Sequence, residues 1–315
     1  MFTLLWGLIR DAPLAAVYRE LERLGARAAF LDQRRVLETT VDLEIGATVG
    51  GYVCIDGTKL DLTQVGAAYL RPHDGTRVSS VRGRLPTAAE HRHAVAVDAA
   101  MLCWAGLTPA YVLNRPAAAA SNGSKPYQLG RIANAGFAVP ETIVTNDPGE
   151  VRAFIDRHGD VIYKSVSGIR SRVRTVTSAD AGRFGDVLAC PTQFQRRVPG
   201  TDVRVHVVGA EVYATEVSCD ADDYRYASEQ GFPRARLAAA ELPGDVAARC
   251  LRLATDLGLP VAGIDLRRAP DGSWYCFEVN PSPAFTYYQA ATGQPMAAAV
   301  AALLAAAVLC SDARP

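Results

Sequence analysis

The side chains of this sequence best suited to chemistry lie between Ala262 and Pro283, in the stretch AGIDLRRAPDGSWYCFEVNPSP. Asp265 lies in one alternating apolar run and Glu278 and Asn280 lie in the next, and the turn signal Ala-Pro-Asp-Gly between the runs predicts a β-hairpin. Glu278 and Asn280, two residues apart, point to the same face of a strand, and the hairpin brings Asp265 beside them. Carboxylate and amide oxygens suit a hard cation such as Mg²⁺, whose shell is commonly completed by waters and nucleotide phosphates. The stretch therefore predicts a magnesium and nucleotide site. The alternative, a hairpin with solvated polar residues, is disfavoured because the second run closes on polar residues and two prolines.

At these residues the chain resembles the ATP-grasp superfamily, in its glutathione synthetase and RimK-type branch of carboxylate ligases. In that branch the motifs G-[IV]-D-[LV] and E-[VI]-N-x-[ST]-P supply the ligands of a pair of magnesium ions that bridge the ATP phosphates. Asp265, Glu278 and Asn280 match these motifs position for position. The resemblance implies an α/β (α+β) ATP-grasp fold with an N-terminal βαβ domain, a lid domain and a C-terminal catalytic domain. It implies ATP and Mg²⁺ as cofactors, with Mn²⁺ as an alternative ion.

The first part of the chain, residues 1–115, predicts a small α/β domain. A strand from Phe2 to Ile9, an amphipathic helix from Leu14 to Leu24 and a strand from Ala28 to Leu31 form a βαβ unit. A hairpin at Asp56-Gly57 and a strand from Val65 that ends at Arg71 follow. This layout most resembles the microviridin-type peptide ligases, also called graspetide synthetases.

Residues 114–126, rich in Pro, Ala, Ser, Asn and Gly, predict a linker that leads into a second unit, residues 116–198. The resemblance makes this unit the lid, and it implies that Lys125 and Lys164 reach the ATP phosphates, Lys164 with a catalytic role. Without the resemblance, each lysine is better interpreted as a solvated surface group.

The segment from Ser165 to Arg174 joins small hydroxyl residues and a glycine with three arginines. Ser167 and Gly168 allow backbone N–H groups to approach phosphate oxygens closely, so both are predicted to bind ATP. Arg170 and Arg172 are predicted to bind the substrate or ATP, and the alternative is a turn whose arginines face water.

Residues 192–200 predict the hinge between the lid and the catalytic domain, residues 199–315, and the resemblance implies that the hinge backbone holds adenine. Gln195, Arg196 and Val198 are assigned to ATP, although arginine at 196 stands where an acidic residue is frequent. The next strand, from Thr201 to Val208, places Asp202 and Arg204 on one face. The resemblance implies that Asp202 lies near the ribose and that Arg204 acts catalytically at the γ-phosphate. His206, on the same face, is expected to pack along the strand.

Two further segments are candidates for contact with the substrate. The polar loop from Cys219 to Tyr226 contributes Tyr224 and Arg225, and the residues after the metal motif contribute Ser282 and Tyr287.

Composition limits the other function classes. Thirty-three basic residues balance thirty-three acidic ones, so no global field favours nucleic acid or an anionic membrane. Seven scattered cysteines without a C-x-x-C spacing indicate reduced thiols of a cytoplasmic protein. The apolar run from Met296 to Cys310 is too short to span a bilayer and predicts a packed helix. The sequence leaves the oligomeric state open, a homo-oligomer included.

The predicted activity is ATP-dependent joining of a carboxylate to an amine or hydroxyl through an acyl phosphate, with release of ADP and phosphate. The first hypothesis is a ligase that modifies a ribosomal precursor peptide. The second is a ligase of free amino acids or small peptides, like RimK-type and glutathione synthetase enzymes. The third is a nucleotide-binding scaffold without turnover, which the presence of the three metal ligands and both lysines disfavours.

Overall fold

The computed structural model describes residues 1–55, 57–166, 173–219, 233 and 235–312. Ser167, Gly168, Arg170, Arg172, Tyr224 and Arg225, which the sequence analysis assigned to ATP or substrate, lie outside the described residues.

The N-terminal sheet is parallel, with strand order β2-β1-β6-β7. Every residue of β6 is buried, as expected of a central strand covered on both faces. The helices α1 (Ala12–Arg23) and α8 (Met296–Asp312) pack on one face of this sheet, and α2 (Ala89–Leu107) packs on the other. Asp11 caps α1 by accepting a hydrogen bond from the Leu14 N–H at 3.0 Å. The elements are β1 (Phe2–Gly7), α1 (Ala12–Arg23), β2 (Ala28–Asp32), β6 (Val65–Arg71), α2 (Ala89–Leu107) and β7 (Tyr111–Leu113).

A small antiparallel sheet, β3-β4-β5, packs beside the N-terminal sheet through Val49, Val53 and Leu62. Its strands are β3 (Thr39–Ile45), β4 (Val49–Ile55) and β5 (Thr58–Asp61). The predicted βαβ unit and the strand that ends at Arg71 are therefore present.

The segment predicted as a linker, residues 114–126, is mostly helical. It contains α3 (Pro116–Ala119), a 3₁₀ turn (Ala120–Gly123) and the start of α4 (Lys125–Asn134). Pro116 and Pro126 lie in the first turns of α3 and α4, where proline leaves no hydrogen bond unmade. The prolines begin helices here and do not mark an irregular connection.

The central sheet is antiparallel, with order β10-β9-β11-β8. One face packs on α5 and on a 3₁₀ segment (Ser178–Ala189) through Val151, Phe154, Val187 and Phe194. Because strand residues alternate, the opposite face carries Lys164, Gln193 and Gln195. The elements are β8 (Thr142–Thr145), α5 (Pro148–His158), β9 (Val161–Ser165), β10 (Arg174–Thr175) and β11 (Thr192–Arg196).

The C-terminal sheet is antiparallel, with order β14-β13-β12-β15-β16. Val203, Val205 and Ile264 face α4 and α6 in the largest core cluster, which leaves the other face for polar residues. The elements are β12 (Thr201–Val208), β13 (Glu211–Ser218), β14 (Arg236–Ala240), α6 (Gly244–Asp256), β15 (Val261–Arg268), β16 (Trp274–Asn280), α7 (Thr286–Thr292) and α8 (Met296–Asp312). The four sheets described here, together with their helices, form the mixed α/β architecture that the sequence predicts.

Helix α8 runs from the C-terminal sheet back onto the N-terminal sheet. Its Met296, Val300 and Leu304 share one buried cluster with Leu5 of β1 and Val17 of α1. Among the described residues, no helix is both long and apolar enough to cross a bilayer.

Candidate active site

Arg204, Asp265 and Glu278 form a row across three adjacent strands. Arg204 of β12 is the register partner of Asp265 on β15, and Asp265 is the partner of Glu278 on β16. All three side chains share the face of the C-terminal sheet opposite to α6. The predicted hairpin thus brings its two carboxylates side by side.

Cationic side chains contact both carboxylates. The Arg204 Nη1 lies 2.5 Å from the Asp265 Oδ1, and the Lys125 Nζ lies 3.2 Å from the Glu278 Oε2. Lys125, Lys164 and Arg204 are only 5%, 6% and 7% exposed. Cations buried this deeply require negative partners, and Lys125 and Arg204 have theirs in this row.

A β-bulge shapes the second strand of the hairpin. The register shifts between Asp265 and Leu266, so that Phe277 is an extra residue on β16. Bulges re-aim neighbouring side chains, and this one puts Glu278 and Asn280 on the polar face while Cys276 and Val279 remain in the core. The Asn280 Oδ1 accepts a hydrogen bond from the Ser282 N–H at 2.8 Å.

Gly263 makes room for the Arg204 guanidinium. A Cβ on Gly263 would lie 2.1 Å from the Arg204 Nη2 and 2.8 Å from the Pro283 Cβ. The guanidinium is thus held between the backbone of β15 and Pro283.

His206 lies one row further along the same face, opposite Gly263. Its ring is 1% exposed, and neither nitrogen has a hydrogen-bond partner among the described residues. The Tyr288 ring lies 4.9 Å away, centroid to centroid. Burial, and secondly Arg204, lowers the pKa of His206 well below its ordinary value. The ring is therefore neutral and packs along the strand, as the sequence analysis expected.

Two buried side-chain amides, which were not predicted from the sequence, form hydrogen bonds to the backbone at the ends of the hairpin strands. The Gln128 Nε2 donates to the Val279 C=O at 2.7 Å, and the Gln128 Oε1 accepts from the Val279 N–H at 3.1 Å. Val279 lies between Glu278 and Asn280. Gln128 is also three residues from Lys125 on α4, a helical spacing that places both side chains on one face and is the signal that could have identified it.

Asn114 is the second amide, and it forms hydrogen bonds to the backbone at the start of β15. Its Nδ2 donates to the C=O groups of Val261 and Pro281, each at 2.6 Å, and its Oδ1 accepts from the Val261 N–H at 3.3 Å. Both hairpin strands are thereby tied to the segment that connects the N-terminal and central sheets.

Arg71, at the end of β6, connects the N-terminal sheet to the residues after the metal motif. Its Nε donates to the Asp11 Oδ1 at 2.8 Å and its Nη1 to the Pro283 C=O at 3.1 Å. Ser282 is exposed beside this contact, and Tyr287, on α7, is exposed and lies edge-on to Tyr288 at 5.2 Å. The hydrogen bond of the Ser282 N–H to the Asn280 Oδ1 and the ring contact of Tyr287 with Tyr288 are the interactions that place these two residues.

The hinge residues are engaged in structural contacts. The Arg196 N–H donates to the Glu141 C=O at 2.9 Å, and its guanidinium contacts the Glu141 carboxylate at 2.5 Å and the Tyr275 hydroxyl at 3.1 Å. The Val198 C=O accepts from the Arg267 Nη1 at 2.7 Å. The Arg196 N–H and the Val198 C=O therefore each have a partner within the protein, and the assignment of Arg196 and Val198 to ATP stays a prediction.

Asp202 is also paired. Its carboxylate receives two hydrogen bonds from Arg267, at 2.6 and 2.9 Å. The side chain lies on the expected face, where a fork of this kind holds it firmly in place.

The central sheet adds Lys164, Gln193 and Gln195 on one face. Gln193 pairs in register with Lys164, and Gln195 pairs with Ile162, one step nearer the hinge. Both glutamines are 1% exposed, and both amide atoms of Gln193 lack partners among the described residues. Gln193 was not predicted from the sequence.

Mg²⁺ fits the oxygen donors at the hairpin. No three His, Cys, Asp or Glu side chains cluster for a metal within the described ranges, so the candidate donors are the two carboxylates of Asp265 and Glu278 with the Asn280 amide. Each carboxylate faces a cationic side chain, which shows that both are oriented toward positive charge. All-oxygen donor sets of this kind suit Mg²⁺.

A protein-family model described as the RimK-like ATP-grasp domain matches residues 120–304, more than half of the chain. The chain belongs to the RimK-like ATP-grasp family. Its members among the curated relatives carry ligase names.

Solved structures of other ATP-grasp ligases match nearly the whole chain. The ATP-grasp ligase PsnB, complexed with a phosphomimetic variant of a minimal precursor, Mg and ADP, is 29% identical with a TM-score of 0.80, covering 97% of this chain and 98% of PsnB. The macrocyclase MdnC from Microcystis aeruginosa, bound with precursor peptide MdnA, is 22% identical with a TM-score of 0.81, covering 96% of this chain and 99% of MdnC. The likeness to MdnC shows the fold alone.

Curated relatives match a shorter region. A probable α-L-glutamate ligase from Serratia proteamaculans is 28% identical over 204 residues, 61% of this chain and 66% of the relative. A ribosomal protein bS6–L-glutamate ligase from Escherichia fergusonii is 28% identical over 200 residues, 59% of this chain and 65% of the relative. The chain thus spans just under two-thirds of these relatives' length.

Proposed function

We propose that this RimK-like ATP-grasp protein is an ATP-dependent carboxylate ligase that modifies a peptide. The observation that carries the proposal is the row of Arg204, Asp265 and Glu278, with Lys125 beside it, in a chain that matches PsnB over 97% of its length. PsnB was solved with a precursor, Mg and ADP.

In this proposal a substrate carboxylate oxygen attacks the γ-phosphorus of ATP, and the bond from the γ-phosphorus to the bridging oxygen breaks to give an acyl phosphate and ADP. An amine or hydroxyl then attacks the acyl carbon, the carbon–oxygen bond to phosphate breaks, and the nucleophile loses its proton to solvent. Arg204 and Lys164 would act as catalytic residues by stabilising the negative charge that develops on the γ-phosphoryl group. Lys125 would bind the phosphates.

Asp265, Glu278 and Asn280 would hold a pair of Mg²⁺ ions, with Mn²⁺ as the alternative metal. When bound, the metal neutralises phosphate charge and orients the γ-phosphoryl group. Asp202 would face the ribose, and the base would lie against Gln195 and the hinge, where the Val198 N–H remains a candidate for reading adenine. Ser167 and Gly168 would add phosphate contacts. Arg170, Arg172, Tyr224, Arg225, Ser282 and Tyr287 would form the substrate side.

The proposed division of the chain is an N-terminal domain at 1–115, a lid at 116–198 and a catalytic domain at 199–315. A cytoplasmic location is supported by seven free thiols. The balanced charge supports small-molecule and peptide partners without nucleic acid or membrane. A homo-oligomer is compatible with these properties.

The test is product analysis with candidate precursor peptides encoded beside the gene. The protein is incubated with ATP, Mg²⁺ and each peptide, and mass spectrometry should show loss of one water for every bond closed within the peptide. Phosphate release should depend on the peptide, since contacts remote from the reacting groups contribute to positioning them.

A second candidate is a ligase of free amino acids, which the similarity to L-glutamate ligases favours. It predicts phosphate release with pools of free amino acids and an increase in mass of the acceptor. Robust turnover without any peptide would replace the first proposal with this one. Absence of ATP turnover with every substrate would leave a nucleotide-binding scaffold.

A further inference from the structure

Gln195 takes part in a hydrogen-bond chain whose direction can be worked out. The Thr142 Oγ1 lies 2.8 Å from the Pro140 C=O, and the Gln195 Nε2 lies 2.9 Å from the Thr142 Oγ1. A carbonyl oxygen only accepts, so the Thr142 hydroxyl must donate its single proton to Pro140. The hydroxyl can then only accept from Gln195, which fixes the amide nitrogen on that side.

With the nitrogen of the Gln195 amide toward Thr142, the amide oxygen must lie on the other side. The Gln195 Oε1 is buried and receives no hydrogen bond within the described part of the chain. A buried acceptor without a donor is unfavourable, and natural proteins keep such groups chiefly where a ligand or water completes them. The hydrogen bonds from Pro140 through Thr142 to Gln195 therefore fix the Gln195 Oε1 as the amide atom without a partner among the described residues, so the group open to a ligand on this face is a hydrogen-bond acceptor.

The position along the sheet indicates what that ligand group is. Gln193 pairs with Lys164, the proposed phosphate lysine, and Gln195 is two residues further along β11 toward Val198, which is also assigned to ATP. Two strand residues span about 6.7 Å, which is the direction and scale in which a nucleotide extends from its phosphates toward its base.

We propose that Thr142 is a positioning residue that makes the site specific for purine nucleotides with an amino group at position 6, by fixing the Gln195 Oε1 as a hydrogen-bond acceptor. An adenine base offers that oxygen an N–H donor, whereas guanine and hypoxanthine offer a carbonyl oxygen, which repels it. The inference rests on the proposed function in that it takes the ligand of this face to be the nucleotide.

The experiment compares ADP with inosine diphosphate, which carries a carbonyl oxygen at position 6, by calorimetric titration of the full-length protein with Mg²⁺ present. Wild type should bind ADP at least about tenfold more tightly than inosine diphosphate. In Thr142→Val the amide is free to turn, so the preference should fall to about twofold or less. Thr142→Ser retains the hydroxyl and should restore the preference.

Thr192→Val is the matched control. Thr192 lies on β11, on the opposite face of the sheet, where its hydroxyl donates to the Cys190 C=O at 3.0 Å. Thr192→Val should keep the wild-type preference for ADP over inosine diphosphate. This result would show that a loss of preference in Thr142→Val comes from the orientation of the Gln195 amide and not from a general loss of sheet stability. Gln195→Met, which removes the acceptor, should lower the affinity for ADP and leave that for inosine diphosphate nearly unchanged, and it serves if Thr142→Val does not fold.

The outcomes are distinguishable. If wild type binds neither nucleotide, the proposed function fails. If wild type binds both equally, or if Thr142→Val and Gln195→Met keep the wild-type preference, the assignment of Thr142 and Gln195 is overturned while the ligase proposal stands.

Discussion

Asp265 and Glu278 are like charges placed directly opposite each other on adjacent strands, an arrangement that is unfavourable unless cations lie beside it. Arg204 and Lys125 provide those cations at 2.5 and 3.2 Å. The row therefore combines charges that a sheet would not otherwise keep together, as is common where a site is built for a charged ligand.

The first prediction concerns these carboxylates. Asp265→Asn and Glu278→Gln should each lower ATP-dependent phosphate release by about 100-fold or more, because a neutral amide attracts a divalent cation less strongly. Phosphate release with Mg²⁺ and the identified substrate measures the effect.

The control is Asp271→Asn, in the turn of the same hairpin, where the carboxylate accepts from the Ser273 N–H at 2.9 Å. It should remain near wild-type activity. Full activity of Asp265→Asn or Glu278→Gln would contradict the assignment of metal ligands.

The second prediction concerns pH and His206. Because burial and Arg204 lower the pKa of His206 well below 6.5, the folded protein holds the ring neutral. The stability associated with the neutral ring is complete above about pH 6.5 and is lost as pH falls, since the unfolded chain then binds a proton that the folded chain does not.

Between about pH 6.5 and about pH 5.5, the free energy of unfolding of wild type should fall more steeply than that of His206→Leu, by up to about 1.4 kcal/mol per pH unit. Urea unfolding at both pH values measures the difference. Parallel pH profiles of wild type and His206→Leu would show that His206 is not held neutral.

At the level of elements, α4 supplies two contacts to β16: Lys125 to Glu278 and Gln128 to Val279. The position of Asn280 relative to Glu278 thus depends on a helix that precedes it by some 150 residues in the chain. Helix and strand together set the spacing of Glu278 and Asn280, two of the proposed metal donors.

The third prediction is that Gln128→Leu weakens Mg²⁺-dependent nucleotide binding by about tenfold. The peptide group of Val279 loses both partners, which allows the end of β16 to move. Calorimetric titration with ADP at several Mg²⁺ concentrations measures the affinity, and hydrogen exchange should be faster at the Val279 amide.

Gln33 offers a matched control, because its side-chain amide forms the same pair of hydrogen bonds with the backbone of His73. The Gln33 Nε2 donates to the His73 C=O at 2.9 Å, and the Gln33 Oε1 accepts from the His73 N–H at 2.8 Å. Gln33→Leu should cost similar stability and leave nucleotide affinity unchanged. If both variants lose affinity equally, the effect belongs to general destabilisation and not to the hairpin.

The hairpin was predictable from sequence because its signals are local: alternation, a turn and a motif. The bulge at Phe277 was not, since a single extra residue leaves the alternation of its neighbours nearly unchanged. The hydrogen bonds of Gln128 and Asn114 to the hairpin depend on which backbone groups tertiary packing brings within reach. The helical spacing from Lys125 indicates the face on which Gln128 lies, but it does not indicate which backbone group Gln128 contacts. The helical turns at Pro116 and Pro126 were missed because proline signals both a loop and the first turn of a helix.

At the scale of the whole molecule, α8 joins the first and last parts of the fold. Leu304 is fully buried in a cluster that also contains Leu5, Leu14 and Val208, from the N-terminal sheet, α1 and the C-terminal sheet. The N-terminal and C-terminal units therefore share apolar surface and should unfold together.

The fourth prediction is that Leu304→Ala lowers the free energy of unfolding by about 2–5 kcal/mol. In a Trp274→Phe background the remaining tryptophans, Trp6 and Trp104, are buried in one core cluster at the N-terminal sheet, so their fluorescence reports the unfolding of that sheet. The urea midpoint measured by this fluorescence should fall, and the midpoint measured by circular dichroism of the whole chain should fall with it.

Leu309→Ala, on the same helix but 70% exposed, should change stability by no more than about 0.5 kcal/mol. A fluorescence midpoint that stays at the wild-type value in Leu304→Ala would mean that the stability of the N-terminal sheet does not depend on the packing of Leu304.

The contact between Gly263 and Arg204 restricts how this sequence can change. A methyl group at 263 would lie 2.1 Å from the Arg204 Nη2, so alanine at 263 becomes acceptable only after Arg204 has been replaced or has moved. In a library that varies both positions under selection for activity, glycine at 263 and arginine at 204 should be retained as a pair. In lineages that lose the arginine first, and with it the charge proposed to act at the γ-phosphate, the Pro283 Cβ at 2.8 Å is the remaining close contact of a methyl group at 263.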